Sequence, residues 1–187
     1  MSRRKAIADD VVLDGILNLM RRSGPERVTF AAVGSETGLS GASLVQRFGS
    51  KPAMVQAALL RAWDGLDALT RELDQRSAET PSGAVDLLVG LSRAYGDGEA
   101  YVEGLVLLRE DLRDPVLRRR GEAWGGTLAA ALGRRLDRHG SSRSVLGRMM
   151  ASQWQGALLW WGFERKKPVE EEIAETLTAW CKAMRLV

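Results

Sequence analysis

The sequence carries one cysteine, Cys181, and one histidine, His139, in 187 residues. A lone thiol excludes an internal disulfide and fits a reducing compartment. One imidazole and one thiol also exclude a His/Cys metal cluster, and they leave little material for a Cys–His or Ser–His nucleophile system. His139 precedes Gly140 at a helix end, where a cation complements the helix dipole, and Cys181 reads as a small buried hydrophobe. Glu170, Glu171 and Glu172 follow Pro168, and a first helical turn favours acids for dipole reasons alone. No catalytic residue, metal or cofactor is expected, so the chain is not read as an enzyme.

Long apolar runs are absent too. The longest, GALLWWGF at 156–163, falls far short of the roughly 20 residues that span a bilayer. Acids interrupt the N-terminal stretch MSRRKAIADDVV where an export signal would be apolar. A cytoplasmic protein with no membrane partner is therefore expected. Internal repeats, low-complexity tracts and runs of period two are also missing, which argues against a β fold.

What is present is helical spacing almost everywhere, with 45% hydrophobic residues to fill a core. A first helix is expected from Lys5 to Arg22 and is ended by SGPE at 23–26. Thr29 is placed to cap a short helix running to Glu36, with Gly38 at its C-terminal left-handed position. Ser40 then caps a second short helix, 41–48, and GSKP at 49–52 breaks it ahead of a long helix through 52–75. Further helices are expected at 83–95 and 100–109, after Asp114-Pro115, at 143–164, and from Pro168 onward. The fold class is all-α with about nine helices, divided into a basic three-helix unit, 1–50, and a larger bundle, 51–187.

Charge is uneven between these parts. Residues 1–62 hold nine Lys and Arg against five acids, while the chain as a whole is only +3. A basic first third on a neutral body points to a polyanion partner. Two short helices joined by a Gly-containing turn, next to a third helix, form a helix-turn-helix pattern. At about 100° per residue, Leu44 and Phe48 define the inward face of the second short helix. Ala42 and Gln46 lie opposite, with Ser43 nearby and Val45 and Arg47 on the rims. A helix with two anchors and a small polar outer face enters a major groove at little cost. The amide of Gln46 can bond an adenine edge, Ala42 can meet a thymine methyl, and Arg47 can reach a phosphate or a guanine.

From VVLDGILNLM through VTFAAVGSETGLSGASLVQRFGSKPAM, residues 11–20 and 28–54, the chain resembles the DNA-binding region of the TetR family of bacterial transcriptional regulators. The matching positions are Gly24, Thr29, Val33, Gly38, Leu39, Ser40, Ser43, Leu44, Phe48, Ser50 and Lys51, in order and without a gap. Family members commonly have a lysine where Gly41 stands, aromatics where Val45 and Arg47 stand, and an alanine where Gly34 stands. The resemblance implies that Thr29 and Lys51 hold phosphates on either side of the groove, and a helix N-terminus plus a lysine is an anion site. With Ser40, Gly41, Ala42, Ser43, Val45, Gln46 and Arg47, these residues make up the expected DNA-binding set. The Arg3-Arg4-Lys5 run is a candidate arm for further DNA contacts.

The resemblance further implies a C-terminal domain that binds a small-molecule effector and dimerises through its last two long helices. The expected partners are then double-stranded operator DNA, the effector and a second copy of the chain, with repression by family tendency. Trp63, Trp124, Met150, Gln153 and Trp154 are large or adaptable residues nominated for the ligand pocket. For the homodimer interface the stripe on the last helix, Ile173, Leu177, Trp180 and Met184, joins Leu158 and Trp161 of a helix apolar on more than one side. The alternative is an all-α protein-interaction or ligand-binding bundle without sequence-specific DNA binding.

Overall fold

The computed structural model describes residues 7–96, 98–137 and 140–186, so the Arg3-Arg4-Lys5 run and His139 lie outside the described residues. Among these the protein is all-α, with nine helices and two single 3-10 turns at Pro25–Arg27 and Arg93–Tyr95. The helices are α1 (Asp9–Ser23), α2 (Phe30–Thr37), α3 (Gly41–Phe48), α4 (Lys51–Arg76), α5 (Pro81–Ser92), α6 (Glu99–Arg113), α7 (Pro115–Leu136), α8 (Arg143–Glu164) and α9 (Val169–Ala183). None is long and apolar enough to cross a membrane among the described residues.

Local chemistry sets most of the boundaries. The hydroxyls of Thr29, Ser40 and Thr80 accept the backbone N–H three residues on, at 3.1 Å each, satisfying donors that the first helical turn leaves free. Ser50 does the same for α4 through Ala53 N at 3.3 Å. Helix α6 runs beyond the expected 100–109 because nothing stops it before Asp114. That carboxylate accepts from Val116 N at 2.7 Å and Leu117 N at 3.2 Å, with Pro115 at the first position of α7. The Gln56 amide, which donates to Asp114 at 2.7 Å, and these N–H groups hold the Asp114 carboxyl below the usual carboxylate range.

The chain forms two compact units. The first takes in the residues up to Gly65 together with Glu103–Arg118. Its core joins Val12, Ile16 and Met20 of α1 to Val33, Leu44, Met54, Ala58 and Leu59, with Leu107 and Leu117. This unit extends past the expected boundary at residue 50, because the first half of α4 supplies core to the helices before it. Hydrophobic spacing identifies a buried helical face but not the partner that buries it.

The second unit comprises Leu66–Val102 and Arg119–Val187. Here α9 packs against both α5 and α8, around Leu88, Leu132, Met150, Trp154, Leu158, Ile173 and Leu177. The Trp154 indole donates to Ser92 Oγ at 2.8 Å, and Ser92 in turn donates to the Leu88 carbonyl at 2.7 Å. Both polar groups are thus satisfied in an apolar setting.

One buried cation closes the end of α4. Arg135 is 2% exposed, yet its guanidinium is fully engaged. It donates to the Asp74 carboxylate at 2.6 Å and to the carbonyls of Asp74, Ser77 and Ala78 at 2.7, 3.0 and 3.0 Å. Helix C-termini leave carbonyls without intrahelical partners, and a planar five-donor fork satisfies several at once. Arg135→Ala is expected to lower the unfolding free energy by about 3 kcal/mol, since it strips helix-end carbonyls of their donor and leaves the half-buried Asp74 carboxylate with Arg134 alone. Urea denaturation measures this, and Arg135→Lys should recover only a minor part of the loss.

Candidate nucleic-acid interface

The site is built on α2, α3 and the turn between them. Gly38 takes the left-handed conformation, φ 72° and ψ 10°, and its N–H closes α2 on the Gly34 carbonyl at 2.9 Å. The turn then passes so close to α2 that a Cβ on Gly34 would stand 2.7 Å from the Leu39 carbonyl oxygen. This close approach accounts for a glycine inside a helix, where it costs about 1 kcal/mol relative to alanine. Ser40 follows as the cap of α3, its Oγ 2.8 Å from Ser43 Oγ. Leu44 is completely buried and Phe48 is half-buried, which fixes the rotation of the helix.

The other side chains of α3 are distributed as that rotation requires. Gly41, Ala42, Val45, Gln46 and Arg47 are exposed and Ser43 is half-buried. Gln46 has no hydrogen-bond partner among the described residues, so its amide is open to a ligand. Thr29 and Ser40 sit at the N-termini of α2 and α3, each hydroxyl engaged by its own helix. Lys51 stands in the first turn of α4, and its ammonium donates to the Glu26 carbonyl at 2.9 Å. An ammonium has three donors, so this bond leaves capacity for an anion.

Arg47 has partners within its own chain. Its guanidinium does not extend freely from the rim of α3. It donates to the Ile7 carbonyl at 2.9 Å and lies 3.1 Å from the Asp9 carboxylate at the start of α1. Asp9 is separated from Arg47 by most of the unit's sequence, and no local signal in the sequence marks the pair. On the same helix α1, Asp14 and Asp10 lie 3.4 and 3.8 Å from Arg61. The Asp14 hydrogen bond and then the charges of Asp10 and Asp14 push the Arg61 guanidinium further toward its protonated form.

The nominated pocket residues have different settings. Trp63 belongs to the first unit, where its indole donates to Asp111 at 3.0 Å. Burial raises the Asp111 carboxyl, and that hydrogen bond partly offsets the shift. Met150 and Trp154 are core residues of the second unit, and the half-buried Trp124 stacks toward Trp154 at 6.4 Å while donating to Thr70 at 3.0 Å. Gln153 instead lines an open groove of about 630 Å³ between α8 and α9, with Arg148, Trp160, Glu172 and Trp180.

The residues expected at the dimer face fall into two settings. Leu158, Trp161, Ile173 and Leu177 are buried inside their own chain. Only Trp180, half-buried, and Met184, exposed, remain accessible. The accessible apolar side of α8 is another one, formed by Val145, Met149, Leu159, Trp160 and Phe163. Trp160 is 67% and Phe163 75% exposed, their rings 5.9 Å apart. Adjacent residues on a helix point about 100° apart, and here Trp161 turns into the core while Trp160 stays outside.

Residues 12–58 match the model of the family described as bacterial regulatory proteins, tetR family. No curated protein matches the sequence. Among solved structures, the chain is similar to a transcriptional regulator from Rhodococcus sp. Rha1, with 16% identity, a TM-score of 0.74, and 94% of this chain and 97% of that one covered. It is similar to the TetR family transcriptional regulator PfmR from Thermus thermophilus, at 20% identity and a TM-score of 0.61, covering 89% of this chain and 94% of that one. It is also similar to the multidrug binding protein EbrR, complexed with imidazole, at 19% identity and a TM-score of 0.65, covering 100% and 97%. These likenesses extend the shared fold over the whole chain.

The separation of caps from the exposed face can be measured. Thr29→Ala and Ser40→Ala should each cost about 1 kcal/mol of stability through the lost cap. Gln46→Ala should change it by no more than about 0.5 kcal/mol, as expected of an unpartnered surface side chain. Urea denaturation of the three variants checks this, and equal losses at all three would assign Gln46 to the scaffold.

Proposed function

We propose, on the premise that residues 12–58 are a tetR-family segment of bacterial regulatory proteins, that the protein is a ligand-responsive transcriptional regulator. A dimer occupies a pseudo-palindromic operator as a repressor and leaves it when a small molecule binds. The observation that carries this reading is the face of α3. Its rotation is fixed by the buried Leu44, and it presents Gly41, Ala42 and an unpartnered Gln46 outward. Such a helix lies in a major groove with little to desolvate. Gln46 bonds an adenine edge, and Ala42 and the exposed Val45 meet thymine methyls. Ser43 and the N-terminal ends of α2 and α3, at Thr29 and Ser40, face phosphates, joined by the spare donors of Lys51. Arg47 reaches a phosphate once its contact with Asp9 opens.

In the dimer, the outer side of α8, from Val145 to Phe163, packs against its copy with Trp180 and Met184 of α9. The small residues Ser152 and Gly156 lie on the same side and allow close approach. An exposed run of large apolar side chains over this length is unusual on a monomer. The effector is a small molecule bound within the second unit; the similar EbrR structure, complexed with imidazole, supports a small-molecule effector. Its binding shifts the arrangement of the two reading helices, with α4, one unbroken helix from Lys51 to Arg76, as the connecting element.

Two experiments test this. Selection of bound duplexes from a random pool should enrich a two-fold-related sequence. On that duplex Gln46→Ala should cost about 1–3 kcal/mol per half-site while random DNA is bound nearly unchanged. Failure to enrich any duplex would favour the alternative, a helical binding bundle that does not read DNA. Sedimentation should give roughly twice the 20.5 kDa chain mass, and Trp160→Glu should give monomers. A monomeric unmodified protein at micromolar concentration contradicts the two-fold model.

A further inference from the structure

Helix α1 opens with three carboxylates, Asp9, Asp10 and Asp14, and they are not equivalent. Asp9 and Asp10 both lie in the first turn, where acids complement the helix dipole. That role does not distinguish them. Their partners do: Asp10 and Asp14 face Arg61 of α4, at 3.8 and 3.4 Å, whereas Asp9 faces Arg47 of α3 at 3.1 Å. The second arm of the Arg47 fork is occupied as well, by the Ile7 carbonyl at 2.9 Å. The one guanidinium on α3 is therefore held at the edge of that helix by an acid and a carbonyl of another segment.

We infer that Asp9 sets the DNA affinity of the reading surface by competing with backbone phosphate for Arg47. The inference rests on the function proposed above. A carboxylate and a phosphate present the same oxygen pair to the guanidinium fork, so Arg47 cannot engage both fully. The Asp9 side chain is 73% exposed, and an ion pair with so accessible a partner is weak enough for a phosphate to displace. Every duplex must do so, whatever its sequence. Asp9 thus lowers affinity for operator and random DNA together, and it acts through Arg47 rather than by touching DNA. A surface built this way releases its duplex more readily, as a regulator displaced by an effector requires.

The test is a double-mutant cycle on the full-length protein, read by fluorescence anisotropy with the selected duplex and with a random-sequence duplex. Asp9→Asn should tighten binding to both by about threefold per half-site, the scale of an exposed ion pair. In an Arg47→Met background the same substitution should give a much smaller gain. Asp10→Asn, which removes the same charge one residue away from a side chain that does not face Arg47, supplies the long-range electrostatic effect alone. Equal gains from Asp9→Asn and Asp10→Asn, or an Asp9 gain undiminished by Arg47→Met, would overturn the competition. No gain from Asp9→Asn would also overturn it while leaving the proposed function standing, provided the unmodified protein discriminates the two duplexes. An unmodified protein that binds neither duplex overturns both.

Discussion

The burial of Leu44 decides which way α3 faces. A helix of eight residues has little stability of its own, and this one begins with Gly41, Ala42 and Ser43. Its position comes from outside, through the Ser40 cap at one end and the completely buried Leu44 near the middle. Once Leu44 is seated beside Val33 and Met54 in the first core, the period of the helix leaves Ala42 and Gln46 no choice but to point outward. The left-handed turn at Gly38 and the tight passage of Leu39 over Gly34 serve the same end. They bring α3 across α2 at a separation where Leu44 can reach the core.

A second consequence concerns the outer side of α8. The helix is apolar around much of its circumference, and the second unit can cover only one side of it. Leu158 and Trp161 go inward with Met150 and Trp154, while Trp160 and Phe163 stay outside. Large exposed aromatics on a helix that also carries a buried side are what a chain completed by another chain would show. The buried guanidinium of Arg135 contributes differently, by finishing α4 at its C-terminal end, so that the long helix has a defined stop.

Local chemistry was legible in the sequence and tertiary choices were not. Thr29, Ser40, Gly38 and Asp114 each announce a helix end by side-chain type alone, and the helices follow them closely. The direction of Gln46 and Ala42 followed from two anchors and a period. Which side of α8 is buried did not follow, because both sides carry apolar residues and only packing chooses between them. The interior of the first unit reaches through Gly65 for a related reason, since Met54, Ala58 and Leu59 show a buried stripe without naming its partner. The contact between Arg47 and Asp9 joins residues 38 positions apart in sequence, and side-chain type could not distinguish it from a free arginine. Trp63 was grouped with Trp124 and Trp154 on size, yet it serves a different unit.

In the proposed dimer, two copies of α3 read two successive stretches of major groove. A photoreactive side chain introduced at Ala42, with Gln46 left intact, tests it most directly on a duplex selected by the protein. Cross-links should fall on bases in two clusters related by the two-fold axis and separated by about 34–36 Å, or by a whole number of helical turns. Cross-links confined to one cluster, or spread evenly along the duplex, would contradict the account.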